Sequence, residues 1–402
     1  MVEAETFLLY NKNTQFYVNL AWEVDELVYL DNSSTTPVCR RAIEAMNKVL
    51  CEDFGNASSL HMLGIDAEGY LDDARVSVAK RLSCESGCIT FTSGGTEANN
   101  MAVFGAVSAL KRFGRRIITS EIEHPSVLNA FKALENEGYE IVWLKPDASG
   151  KIRERDIFEA VNSETIFISL MYVNNETGAL QPVESAVAAA KSAAVRFDMA
   201  KKPLVHCDAV QAFGKIDINV KAMDIDLMSV SAHKLHGPKG AGALYIKKGV
   251  RISPLMYGGG QEKGLRPGTE NVPAIAGFGA AVEDIGNISQ NCAAAKALKE
   301  YLLLRLSEIE GAIINSPADA LPFIINISLP GHKAETLLHR LEAKEIYVSS
   351  GSACSKGKLS HVLKAQGLDA GIIDSSIRIS LSRFNTNKDI DALAQALKEI
   401  KG

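Results

Sequence analysis

The sequence predicts an α/β protein, with a large domain on a mostly parallel, seven-stranded sheet and a smaller α+β domain beside it. Three observations carry this reading. Short apolar runs alternate with helix-patterned segments over residues 43–286, the mark of parallel strands covered on both faces. After residue 286 the pattern changes to one long helix, then strands mixed with shorter helices. The chain's 402 residues also exceed what a single ordinary core encloses. The large domain is therefore drawn at 43–286, and the small domain from 1–42 together with 287–402.

The seven strands are read in order from "CITFTSG", "RRIITS", "YEIVWLKP", "TIFISLMYV", "KPLVHCDAV", "IDLMSVS" and "GALYIKK". Between them, "TEANNMAVFGAVSALKRF" and "PVESAVAAAKSAAVRF" have helical periodicity and open after turn or capping residues. In the small domain "NCAAAKALKEYLLLRLSEIEG" is a long helix, and "PFIINISLP", "IYVSSGSA" and "SIRISLS" are strands. The first 27 or so residues show weak periodicity, and the chain has no internal repeat or low-complexity linker.

Composition narrows the function classes. Apolar residues make up 47% and charged residues 23%, as in soluble globular proteins. A net charge of −5 without a long basic block argues against direct nucleic-acid binding. No apolar run approaches the roughly 18 residues that span a bilayer. The start "MVEAETF" lacks the basic and apolar regions of a secretory signal. Seven cysteines (39, 51, 84, 88, 207, 292 and 354) are odd in number and scattered, which suits reduced thiols in the cytoplasm. Only "CESGC" brings two together, and no second pair completes a zinc site, so no metal is read.

Candidate chemistry gathers at strand ends, where ligands of parallel α/β sheets bind. "FTSGGTEANN" runs from strand through glycine turn to helix start, so its N–H groups and Thr96 could face a phosphate. A turn tightened only for packing reads the same way. "HCDAVQ" ends a strand with Asp208 and sets Gln211 one turn on. A buried strand-end carboxylate needs a cation or strong donors, and a protonated pyridine nitrogen would serve. "SAHK" adds Lys234, whose amine could hold an aldehyde cofactor as a Schiff base. Taken alone, Asp208 and Lys234 are equally an ion pair joining two strand ends. "SEIEHPSV" places His124 at a strand-to-helix turn, where an imidazole can lie on an aromatic ring or simply cap the helix. "YGGGQEKGLRPGTENV" is a glycine-rich loop carrying Arg266 and Thr269. Phosphate cup, acid, lysine and stacking histidine together are the requirements of pyridoxal 5′-phosphate.

The motifs "YLDNSSTTP", "TSGGTE", "EH", "VNNETG", "DAVQ", "SAHKLHGPKG", "RPGT" and "SSGSAC" occur in an order that resembles the cysteine desulfurases of the NifS/IscS branch, within the class V aminotransferase group of fold type I pyridoxal-phosphate enzymes. The resemblance runs from residue 29 to about 390, and "SSGSACS" sets it apart from the SufS-like branch. It implies that Lys234 carries the cofactor and shuttles protons, that Asp208 keeps the pyridine nitrogen protonated, and that His124 stacks on the ring. Gln211 would bond the phenolate oxygen, while Gly95, Thr96, Ser231 and His233 would hold the phosphate. Thr269 would reach the phosphate of a partner subunit, which makes a homodimer part of the expectation. Asn175 and Arg378 would grip the carboxylate of L-cysteine, Arg378 with both guanidinium nitrogens.

Cys354 would accept the sulfur as a persulfide, leaving alanine. It lies in "SSGSACSKGKLS", a Gly-, Ser- and Lys-rich stretch that reads as an exposed loop, with Lys356 and Lys358 favouring the thiolate. After Cys354 the loop is a couple of residues shorter than in long housekeeping members, and the sequence ends 19 residues after Arg383. Both features leave the acceptor open between an iron–sulfur scaffold and a tRNA-thiolation enzyme or another sulfur carrier. Pro267 stands in "RPGT" where serine is common. Competing readings on the same fold are a selenocysteine lyase, an aminotransferase, or a cofactor-binding regulator without turnover.

Overall fold

The computed structural model describes residues 27–350 and 359–401. A two-residue strand, β1 (Val28–Tyr29), is followed by the seven strands of the central sheet: β2 (Ile89–Thr92), β3 (Arg116–Ser120), β4 (Glu140–Leu144), β5 (Thr165–Met171), β6 (Leu204–Asp208), β7 (Leu227–Ser231) and β8 (Gly242–Ile246). Then come β9 (Ile313–Ile314), β10 (Ile324–Ser328), β11 (Ile346–Tyr347) and β12 (Ser376–Ser380). The central sheet has the order β2-β8-β7-β6-β5-β3-β4. Only β8 runs against its neighbours, β2 and β7, so the sheet is mostly parallel, as predicted.

Side-chain alternation divides the sheet's two faces. Ile117, Phe167, Leu204 and Leu227 pack with the helices Gly95–Leu110 and Pro125–Asn136. Their immediate neighbours Ile118, Ile168, Val205 and Met228 pack on the opposite side. There they meet the helices Arg40–Cys51, Met62–Leu82, Val183–Arg196 and Val272–Asp284. With helices on both faces, β5 to β8 are buried at every position, which explains why they read as continuous apolar runs. Edge strand β4 is wetter, with Glu140 exposed.

A separate core forms around β10 and β12, which pair antiparallel with β9 on the far side of β10. Ile325, Ile327, Ile377 and Ile379 pack there with Leu30 and with the helices Ile288–Leu306, Ala334–Glu342 and Asn387–Lys401. Arg378 falls between two of these isoleucines, so the two-residue strand period turns it to the other face, toward the end of the large sheet. The helix Arg40–Cys51 crosses the predicted boundary at residue 42, and its Ala42 and Val49 both join the large-sheet core.

Candidate active site

The parallel strands β3, β5, β6 and β7 end at one edge of the sheet, and a cavity of about 370 Å³ opens there. That volume suits a small cofactor with its substrate. Ten predicted residues line it: Gly95, Thr96, His124, Asn175, Asp208, Gln211, Ser231, His233, Lys234 and Arg378.

One wall is the turn after β2. Gly94 has φ +151° and ψ −176°, a region that only glycine occupies without strain. The turn leads into the helix Gly95–Leu110, whose first N–H groups lack intrahelical acceptors. A Cβ on Gly95 would lie 2.7 Å from Val210 Cγ2, so a side chain here would crowd the cup.

Asp208, at the end of β6, is 5% exposed. Its Oδ2 accepts from Asn99 Nδ2 at 2.7 Å and its Oδ1 from the Val210 N–H at 3.0 Å. Asn99 Nδ2 also donates to Ser126 Oγ at 2.9 Å, and Ser126 Oγ lies 2.8 Å from His124 Nδ1. Because the Ser126 N–H also donates to that nitrogen at 3.2 Å, Nδ1 is the acceptor and the ring proton sits on Nε2. Burial, chiefly, holds the His124 pKa down; Asp208 opposes this, and Lys234 and His361 add to it. Asn99 therefore holds Asp208 directly and His124 through one hydroxyl.

β7 ends at Ser231, and the turn Ala232–Lys234 points Lys234 back across the cavity. Its Nζ donates to the carbonyls of Ser33 and Ser34, both at 2.7 Å. Gln211 Nε2 donates to the same Ser33 carbonyl at 2.9 Å. His233 has its pKa lowered to about 4, first by burial and then by Lys234, Lys239 and Lys215, so it is a neutral imidazole at physiological pH.

Arg378 is 4% exposed and closes the side facing the small core. Its Nη1 donates to the Asn175 carbonyl at 2.8 Å, and its Nη2 to Asp31 Oδ1 at 2.9 Å and Ser34 Oγ at 2.6 Å. Asn175 and Arg378 are thus brought together, through the asparagine backbone. Next to them, Glu176 Oε2 accepts from Ser360 Oγ at 2.5 Å, and burial raises the Glu176 pKa to about 7. His361 Nε2 donates to the Glu123 carbonyl at 3.1 Å, so the short helix His361–Ala365, whose Val362 packs in the large-sheet core, adds to the cavity wall as well.

Two predicted residues lie elsewhere. Arg266 pairs with Glu97 at 2.8 Å, and Thr269 is exposed on the glycine-rich loop, away from the cavity of its own chain. Cys354, Lys356 and Lys358 lie outside the described residues. Sequence reasoning assigned no role to Asn99, Ser126, Ser33, Ser34, Glu176 or Ser360. Most of these stand inside motifs already singled out, "FTSGGTEANN", "YLDNSSTTP" and "VNNETG"; which members of a motif face the cavity is fixed by the turns.

The residues present fit pyridoxal phosphate. Ser33 Oγ and Ser231 Oγ are buried in the cavity wall without hydrogen-bond partners among the described residues, as expected of donors awaiting an anion. The glycine cup suits a phosphate, Asp208 a protonated ring nitrogen and Lys234 an aldehyde. Among the described residues no group of three His, Cys, Asp or Glu is placed to hold a metal, and no helix is long and apolar enough to cross a membrane.

Comparison with known proteins agrees with this geometry. The family profile described as aminotransferase class-V matches residues 28–393. A protein of Methanosarcina thermophila named cysteine desulfurase IscS is 41% identical over 380 residues, covering 94% of this chain and 92% of that protein. A solved structure titled NifS-like protein superimposes with a TM-score of 0.87 at 38% identity, covering 93% of this chain and 99% of that one. Another, titled SspA in complex with cysteine, gives 0.78 at 34% identity and covers 89% and 99%.

Proposed function

The chain belongs to the class-V aminotransferase family, and from that footing we infer that it is a pyridoxal-phosphate-dependent cysteine desulfurase. It converts L-cysteine to L-alanine and passes the sulfur to one of its own cysteines. The observation that carries this is the placement of Lys234, Asp208 and Arg378 around one cavity, with relatives named for the same activity.

Pyridoxal phosphate, when bound, supplies an aldehyde for amines and a ring that withdraws electrons from the substrate α-carbon. Lys234 would hold the aldehyde, and its amine, when free, would move the proton at the substrate α-carbon. Asp208, fixed by Asn99 and the Val210 N–H, keeps a proton on the ring nitrogen. His124 would stack on the ring, and Gln211 would bond the phenolate oxygen. Gly95, Thr96, Ser231 and His233 form the phosphate cup. Arg378 presents a rigid guanidinium to the substrate carboxylate, with Asn175 beside it.

Cys354 is the sulfur acceptor. Its thiolate forms a bond to the substrate sulfur as the Cβ–S bond breaks; a proton returns to carbon, so that cysteine and thiol become alanine and persulfide. The protein acts as a homodimer, with Thr269 reaching the partner's phosphate. Exposed apolar residues Phe54, Leu60, Met62 and Tyr257 support an interface. It works in the cytoplasm and delivers sulfur to an iron–sulfur scaffold or a tRNA-thiolation enzyme.

Product analysis of the cofactor-loaded protein with L-cysteine and a thiol reductant tests this reading. Equal amounts of alanine and sulfide are expected. Pyruvate in place of alanine would make it a β-eliminating lyase, and a sulfur-bearing keto acid would make it an aminotransferase.

A further inference from the structure

Lys215 is a buried cation that the chemistry above does not use. It is 7% exposed, and its Nζ donates to Gln211 Oε1 at 3.1 Å. Gln211 Nε2 donates to the Ser33 carbonyl, which also accepts from Lys234 Nζ. Lys215 is therefore linked to Lys234 through one amide and one carbonyl. Both lysines also line a second, smaller cavity of about 40 Å³.

Two consequences follow from side-chain chemistry. An ammonium has donors only, so Gln211 must offer Lys215 its oxygen, which turns the amide NH₂ toward Ser33 and the main cavity. Reversing the amide would set donor against donor. An ammonium in such a place is also costly unless paired, and among the described residues no ion pair reaches Lys215. The groups that act on it are cationic: burial first, then Lys234 and Arg378, lower its pKa to about 7. His236 and Arg383 also line the smaller cavity, His236 with its pKa lowered to about 4 and Arg383 paired with Asp284. On the far side Lys234 is faced by His124, His233 and Asp208. A residue needed only for packing here could be methionine or leucine at no cost in charge burial.

We propose that Lys215 is a positioning residue for the cofactor lysine: it fixes the orientation of the Gln211 amide, and its charge favours the uncharged form of the Lys234 nitrogen. The inference rests on the reading of Lys234 as the residue that carries the cofactor. Its test is a pH titration of the visible absorbance of the cofactor-loaded protein, in wild type, Lys215→Gln, Lys215→Met and Lys215→Arg.

Removing the charge in Lys215→Gln or Lys215→Met raises the titration midpoint by about one pH unit, tenfold in proton affinity. Lys215→Arg stays near the wild-type midpoint. Lys215→Gln keeps a donor for Gln211 and holds the cofactor as wild type does, while Lys215→Met loses cofactor affinity about tenfold. Midpoints of Lys215→Gln and wild type that agree within a few tenths of a unit would overturn the proposal, and that comparison stands even if Lys215→Met fails to fold. Lys234→Ala separates the two readings. If it keeps the wild-type absorbance band, the assignment of Lys234 falls and this inference with it. If the band is lost but the Lys215 variants titrate like wild type, only this inference falls.

Discussion

Replacing Glu123 by glutamine is predicted to make the protein more stable in alkali while leaving it nearly unchanged in acid. Glu123 is fully buried. Its Oε1 accepts from Ser120 Oγ at 2.7 Å and from the Met171 N–H at 2.9 Å, and its Oε2 has no partner among the described residues. Burial raises its pKa from 4.5 to about 8; Asp208 adds to this, and the Ser120 and Met171 bonds oppose it. Between those two values the folded state binds more protons than the unfolded chain, so stability falls as pH rises through the window. The shift corresponds to about 5 kcal/mol once Glu123 is fully ionised. Glutamine keeps the accepting oxygen and carries no charge. Its amide nitrogen replaces an equally unpartnered hydroxyl, so at about pH 5 the two proteins should agree within about 1 kcal/mol. Urea denaturation followed by circular dichroism, at about pH 5 and about pH 9, measures the difference. It should widen in favour of Glu123→Gln by several kcal/mol, with other titrating groups cancelling between the proteins. A pH-independent difference, or one that widens in favour of wild type, would refute the reasoning.

Other predictions concern the substrate grip and the phosphate turn. Arg378→Lys removes a planar fork bonded to Asn175, Asp31 and Ser34, so KM for L-cysteine should rise about 10- to 100-fold; an unchanged KM in steady-state kinetics would place the carboxylate elsewhere. Gly94→Ala forces a side chain onto φ +151° and should cost about 1–3 kcal/mol in denaturation, with weaker cofactor retention in dialysis. Wild-type stability in that variant would mean that the turn readily relaxes.

Much of the fold was legible because its strands are buried on both faces and so stand out as apolar runs between amphipathic helices. "KPLVHCDAV" and "IDLMSVS" became β6 and β7, and Asp208, the last residue of β6, and Lys234, just beyond β7, face one cavity as strand-end logic requires. Arg378 was legible only through the family resemblance; the two-residue period of β12, which turns a charge between isoleucines away from their core, accounts for its place at the cavity. The polar connections that depend on tertiary contact were not legible. Nothing in the spacing of Asn99, Ser126 and His124 announces that one amide joins the acid to the imidazole, because the helix Gly95–Leu110 and the turn before Ser126 meet only in the folded chain. Lys215 reads as an ordinary lysine after a glycine, since its burial comes from residues distant in sequence such as Ile285 and Phe323, which line the same small cavity. Thr269 points to a different limit, since a residue proposed to serve another subunit has no reason to face its own cavity.

The central claim is sulfur transfer to Cys354, and it is tested most directly by a single turnover with L-cysteine in the absence of reductant, followed by mass spectrometry of the peptides. The account predicts that the peptide containing Cys354 becomes heavier by one sulfur atom, in step with one alanine released per site, and that Cys354→Ala forms neither. Alanine released at the wild-type rate by Cys354→Ala, or the added sulfur found on another cysteine, would contradict it.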